Sequence, residues 1–134
     1  MEKVFSKKYS FKIKKENGKK YIFDFIRKKF VLLTPEEFAR QNVIKFLVYE
    51  KNYSPNLIKI ETSFKINNLR KRADILVFNN KGEAVLLVEC KAPYLKLTKK
   101  VIEQIAIYNL KLNVKELLIS NGIVHYFCKM KNEK

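Results

Sequence analysis

Three residues near the middle of the chain carry its strongest chemical signal: Asp74 in R-K-R-A-D-I-L-V-F, and Glu89 and Lys91 in L-L-V-E-C-K-A-P. Two carboxylates, with no histidine nearby, make a hard oxygen site that suits Mg²⁺ or Mn²⁺ and is poor for zinc. An ion held there would polarise a phosphoryl oxygen, acidify a bound water and stabilise developing negative charge. Lys91 could hold that water or help deprotonate it. In a basic protein the natural electrophile is a phosphodiester. The same residues would equally make a plain Asp–Lys or Glu–Lys ion pair at a sheet edge, because D-(x)n-E-x-K patterns arise easily.

The elements that must position these groups are short apolar runs. Ile75 to Phe78 and Ala84 to Val88 flank Asn79-Asn80-Lys81-Gly82, which predicts a β-hairpin. Alternation puts Glu89 and Lys91 on one face and turns Cys90 to the other. A two-residue loop at Lys81-Gly82 would pair Asn80 with Glu83, Phe78 with Val85 and Asp74 with Glu89, leaving the carboxylates side by side. A three-residue loop with Gly82 in a bulge would shift that pairing by one.

Around this hairpin the remaining elements follow in order. Tyr9 to Lys15 and Lys20 to Ile26, joined by Glu16-Asn17-Gly18-Lys19, predict an N-terminal hairpin. The basic cluster Arg27-Lys28-Lys29 follows, as a solvated connection or a phosphate contact. Thr34-Pro35-Glu36-Glu37 reads as N-cap, proline at the first helical position and a capping-box glutamate, opening a helix to about Glu50. Leu57 to Phe64 is a strand carrying Glu61. Beyond Pro93, Thr98 caps a helix to about Leu112, on which Gln104 and Tyr108 share a face. Glu116 to Ser120 and Ile123 to Lys129 flank Asn121-Gly122, the best short turn signal in the chain.

This order predicts one α/β domain of mixed α+β type, with a central mixed sheet flanked by helices. Residues 1–26 form the N-terminal hairpin, 27–129 the core and 130–134 a frayed tail. With 134 residues, 47% of them hydrophobic, the chain can bury a core without staples. Lys and Arg outnumber Asp and Glu by 29 to 13, a net of +16, for which an extended polyanion is the natural partner. An excess of lysine can also reflect coding bias, and only Arg27, Arg40, Arg70 and Arg72 are arginines. Cys90 and Cys128 read as buried free thiols in a reducing cytoplasm, and His125 as a structural residue. No apolar leader, membrane span, phosphate loop or dinucleotide fingerprint occurs.

R-K-R-A-D-I-L-V-F followed by L-L-V-E-C-K-A-P resembles the PD-(D/E)XK nuclease superfamily, and more narrowly the N-terminal nuclease domain of type I restriction enzyme R subunits. F-D-F-I-R-K-K-F-V-L-L-T-P-E-E-F-A-R-Q, E-T-S-F-K, E-Q-I-A-I-Y-N and L-L-I-S-N-G occur in that family's order, from about Tyr21 to Phe127. The resemblance implies the restriction-endonuclease-like fold and an Mg²⁺-dependent DNA endonuclease. It implies Asp74 and Glu89, with the Cys90 backbone carbonyl, as metal ligands, Lys91 as the catalytic lysine, and Glu37 as an additional acid aimed at the metal. Gln104 and Tyr108 match a Q-x-x-x-Y element that supports the site. Arg72, Arg27 and Lys28 are weaker candidates for DNA phosphates. Phe38 stands where Trp is common and Ala73 where the superfamily name places Pro. The large R subunits continue into a helicase motor, so a standalone domain would need a homodimer or a partner subunit for specificity or motor function. The alternative is a catalytically silent nucleic-acid-binding module of the same fold.

Overall fold

A computed structural model describes residues 2–5, 7–66, 69–109 and 114–129, without the side chains of residues 2, 64–66, 69, 71 and 107–109. Among the described residues, nine strands and two α-helices follow in the order β1 (Glu2–Phe5), β2 (Ile13–Glu16), β3 (Lys19–Asp24), β4 (Lys29–Leu32), α1 (Pro35–Lys45), β5 (Ile58–Ile66), β6 (Leu69–Phe78), β7 (Ala84–Cys90), α2 (Lys99–Asn109), β8 (Glu116–Ser120) and β9 (Val124–Lys129). A π-helical turn, Phe46–Glu50, extends α1, and a 3₁₀ turn, Pro55–Leu57, leads into β5.

Six strands form a mixed sheet in the order β1-β9-β8-β7-β6-β5. Only β7 and β8 run parallel, because the connection between them passes through α2, whereas hairpins and edge pairings make the rest antiparallel. The expected mixed sheet flanked by helices is the fold observed. A second sheet, β2-β3-β4, is wholly antiparallel. It extends the predicted N-terminal hairpin by β4, whose first residue, Lys29, is the last of the basic cluster read as a connection or a phosphate contact. No helix among the described residues is long and apolar enough to cross a membrane. The tail 130–134 lies outside the described residues.

Both faces of the central sheet are covered, which is why β6 and β7 read as apolar runs instead of alternating. On one face Val43, Ile44, Phe46 and Leu47 of α1 and its extension pack on Ile75, Val77, Leu86, Val88 and Leu118. On the other, Leu97, Ile102 and Val114, in and around α2, pack on Leu76, Leu87, Leu117 and Ile119. Thr34 caps α1, its Oγ1 accepting from Glu37 N–H at 3.0 Å. At the β8–β9 turn, Gly122 has φ +87°, and a Cβ there would lie 2.8 Å from the Ala39 Cα. A glycine at this turn therefore lets α1 sit directly against it.

His125 is fully buried, stacked on Phe46 with 3.9 Å between ring centroids, and its Nδ1 lies 2.7 Å from Ser120 Oγ. Burial, aided by the charge of Lys51, lowers its pKa to about 4, so it is neutral at physiological pH.

Candidate functional site

The β6–β7 hairpin does what its sequence demands by a less direct route than a two-residue turn. Asn79 N–H donates to the Glu83 carbonyl and Gly82 N–H to the Asn79 carbonyl, closing a three-residue loop with Gly82 at φ +79°. That loop pairs Phe78 with Ala84, one residue away from the two-residue count. A bulge then takes up Val85, and Val77 pairs with Leu86, Leu76 with Leu87 and Ile75 with Val88. The two shifts cancel. Continued by one residue, the register sets Asp74 across from Glu89.

On the other side of β6 the ladder breaks at the same level. Ile60 pairs with Ile75 and Thr62 with Ala73, but Glu61 between them adopts φ +50°, a left-handed conformation costly for a non-glycine residue. Side-chain alternation slips there too. Ile75 packs on the α1 face, yet Ala73, two residues earlier, packs on the α2 face. The irregularity releases the Asp74 carboxylate from a regular position, and its Oδ2 accepts from Cys90 N–H at 2.8 Å.

Asp74, Glu89 and Lys91 are therefore brought together and half-buried. Lys91 Nζ lies 3.7 Å from Glu89 Oε2, longer than a good charged hydrogen bond. Lys91 is itself anchored, its N–H donating to the Ser120 carbonyl at 2.8 Å. Burial raises the pKa of Glu89, the Asp74 carboxylate raises it further, and Lys91 offsets part of this. The Cys90 thiol, packed with the α1-side core, is pushed well up by burial first and then by Asp74.

Glu37 is held in a different constellation. Its Oε1 accepts from Arg27 Nη2 at 3.0 Å and its Oε2 from Gln41 Nε2 at 2.9 Å. Arg27 Nε bonds Asp24 Oδ2 at 2.6 Å, and Gln41 Nε2 also reaches that oxygen at 3.0 Å. Asp24 is fully buried and further accepts from the N–H groups of Ile26 and Arg27. Arg40 Nε stands 3.7 Å from Glu37 Oε2, and Arg40 Nη1 bonds Glu61 Oε1 at 2.8 Å. Arg72 Nη2 completes the chain at 2.9 Å from Glu61 Oε2. Hydrogen bonding from Arg40 lowers the Glu61 pKa against its burial, and the charges of Arg40 and Arg72 add to that. Charges alternate along this chain, from the small sheet through α1 to β5 and β6. Among the described residues no three His, Cys, Asp or Glu side chains gather as a metal cluster, and both Glu37 oxygens are engaged by Arg27 and Gln41.

The remaining candidates scatter. Arg27 is committed to Asp24 and Glu37, whereas Lys28, at φ +55° in the β3–β4 turn, is exposed. Gln104 is exposed on α2; the side chain of Tyr108 lies outside the described residues. Asp24, Arg40, Gln41 and Glu61 are the other members of this network and had no expected role. Their signal was present: Asp24 is a lone acid between Phe23 and Phe25, and Arg40 and Gln41 fall three and four residues after Glu37, on its helical face.

No curated protein matches the chain. The family profile described as type I restriction enzyme R protein N terminus matches residues 35–134, a span that takes in α1, the β6–β7 hairpin and α2. The chain belongs to the type I restriction enzyme R protein N-terminal family.

Proposed function

We propose that this domain is a divalent-metal-dependent endonuclease of the PD-(D/E)XK type, hydrolysing phosphodiester bonds in DNA. The observation that carries the reading is the convergence of Asp74 and Glu89 at the broken end of the β6 ladder. Two carboxylates are held together, one of them with its pKa raised by burial and by the other, against a single lysine at 3.7 Å. Like charges so placed are costly without a cation. Asp74 Oδ2 is used by one N–H, and Oδ1 makes no hydrogen bond among the described residues. In an extended strand a residue's N–H and C=O point to the same side, so the Cys90 carbonyl turns towards Asp74 as well. This all-oxygen donor set fits Mg²⁺ or Mn²⁺.

When bound, such an ion supplies charge stabilisation at the phosphoryl group and acidifies water. The chain's own residues do the rest. Asp74 and Glu89 fix the ion's place on a rigid sheet, and Lys91, tied to β8 through its backbone, presents its ammonium on the Glu89 face to orient the attacking water and neutralise the phosphate. Glu37, with both oxygens engaged, enters as a positioning residue. Gln104 and Tyr108 on α2, with exposed Arg72 and Lys28, are proposed to contact the DNA. A homodimer or a partner subunit would supply specificity.

The observation favouring a silent DNA-binding module instead is that no third acid joins the pair among the described residues. Incubating plasmid DNA with Mg²⁺ separates the two. Metal-dependent cleavage that drops at least about 100-fold in both Asp74→Ala and Lys91→Ala supports the nuclease. Retarded mobility without cleavage by the unsubstituted chain supports the silent module.

A further inference from the structure

The family match begins at residue 35, and the 34 residues before it present a surface of their own. They hold eleven lysines and arginines against three acids, a net of +8 and half of the chain's +16. In the small sheet Ile22 and Asp24 are fully buried, so Tyr21 and Phe23 face the other way. Cross-strand partners share a face. Lys14 pairs with Tyr21, Tyr21 with Leu32, and Phe23 with Phe30. One face therefore carries three aromatic rings and Leu32, and Phe30 and Leu32 are 36% and 48% exposed. Phe23 and Phe30 meet edge to face at 5.2 Å. Lysines stand among the rings: Lys14 Nζ lies 4.7 Å from the Phe30 centroid and 5.9 Å from that of Tyr21, and Lys12 Nζ lies 5.9 Å from that of Phe23. Glu16, 3.2 Å from Lys14 Nζ, is the only acid on β2.

Exposed aromatic faces interleaved with cations suit a ligand that is flat, unsaturated and anionic along its length. We propose that the β2-β3-β4 face binds an unpaired DNA strand, its bases stacking on Phe30 and Tyr21 and its phosphates taken by Lys12 and Lys14. In a duplex the base faces are already stacked on one another, so exposed rings have no base face to take up. A second copy of the same face would bring like charge against like charge. The inference rests on the proposed function only for the choice of DNA over RNA, and the stacking surface stands whether or not Asp74 and Glu89 support cleavage.

The chain contains no tryptophan, so Phe30→Trp installs a single reporter on this face. In an Asp74→Ala background, which prevents cleavage, oligo-dT should quench that emission, while heparin, a polyanion without bases, should bind and leave it unchanged. Labelled oligo-dT should bind more tightly than a duplex of equal length. Phe30→Ala should weaken oligo-dT binding at least about five-fold, and Lys14→Ala should lower the salt slope by about one contact's worth. Circular dichroism establishes that each variant is folded. The proposal is overturned if the reporter is silent at saturating oligo-dT, if folded Phe30→Ala binds oligo-dT as well as its parent, or if the emission changes with protein concentration alone, which would place a second copy on this face. Absence of cleavage in the plasmid assay leaves these readouts untouched, so the two failures are distinguishable.

Discussion

Two charge clusters lie on either side of Cys90, and they are built on opposite plans. In the chain Asp24–Arg27–Glu37–Arg40–Glu61–Arg72 every acid has an arginine within 3.0 Å, and the deepest of them, Asp24, has four donors. Of Asp74 and Glu89, only Glu89 has a cation within 4 Å among the described residues, and that lysine, Lys91, stands 3.7 Å from its oxygen. A network in which each acid has its own cation holds elements together and has little capacity for anything else, although Arg40 Nε and Gln41 Oε1 are buried without a hydrogen bond. An underpaired one is an energetic cost that a ligand can remove. The contrast is drawn without reference to any relative, and Glu37 belongs to the paired chain.

Substitutions at the two clusters should therefore have opposite effects. Asp24→Ala removes the acceptor of Arg27 and Gln41 and should cost about 3–5 kcal/mol in denaturant unfolding. A loss under 1 kcal/mol would mean that the network is not what joins the small sheet to α1. The pH dependence of stability gives the next largest effect. His125 stays neutral down to about pH 4 in the fold but takes a proton near 6.5 when unfolded. Stability should fall as pH drops from 6.5 to 4, by up to about 3 kcal/mol, and His125→Phe should flatten that limb. Glu89 acts in the opposite sense, because its raised pKa favours the folded protein at low pH and that contribution is lost as pH rises through it. The His125→Phe background should expose this second, inverse limb.

Smaller, and opposite in sign to Asp24→Ala, is Asp74→Asn. It retains an acceptor for Cys90 N–H while relieving repulsion with Glu89, so the midpoint of thermal unfolding should hold or rise by a few degrees. Mn²⁺ should stabilise the unsubstituted chain, more strongly above the Glu89 pKa than below it, and leave Asp74→Asn unmoved. Stabilisation of both by equal amounts would remove the metal from the proposed site. Arg72→Ala closes the series. This pair is the most exposed link in the network and should change stability by less than about 1 kcal/mol.

What the sequence made legible was short-range. Thr34 and Pro35 announce α1 within four residues, and Asn121-Gly122 announces the β8–β9 turn, because caps and turns are local chemistry. Alternation and turn geometry placed Asp74, Glu89 and Lys91 together, and the family resemblance supplied the roles expected of them. The strands that escaped notice depend on distant partners. β1 forms against β9, more than a hundred residues away, and β4 begins in Arg27-Lys28-Lys29, whose charge reads as a solvated connection. The Asp24–Glu37 network was legible only in its local parts, the lone acid Asp24 and the helical face of Glu37, because the bonds that join them cross between elements. The Val85 bulge left no trace, since an extra apolar residue in a strand buried on both faces interrupts no pattern.

That bulge has a consequence for how the hairpin can vary. The three-residue loop and the extra residue at Val85 are offsets of equal size and opposite sense, and with this loop Asp74 faces Glu89 only because the bulge is present. Straightening the bulge while keeping every residue would throw the carboxylates out of step, whereas removing Lys81 or Val85 outright leaves the flanking pairs, Phe78 with Ala84 and Val77 with Leu86, where they are. What the hairpin has to preserve is those pairs, and its length is free to change between them.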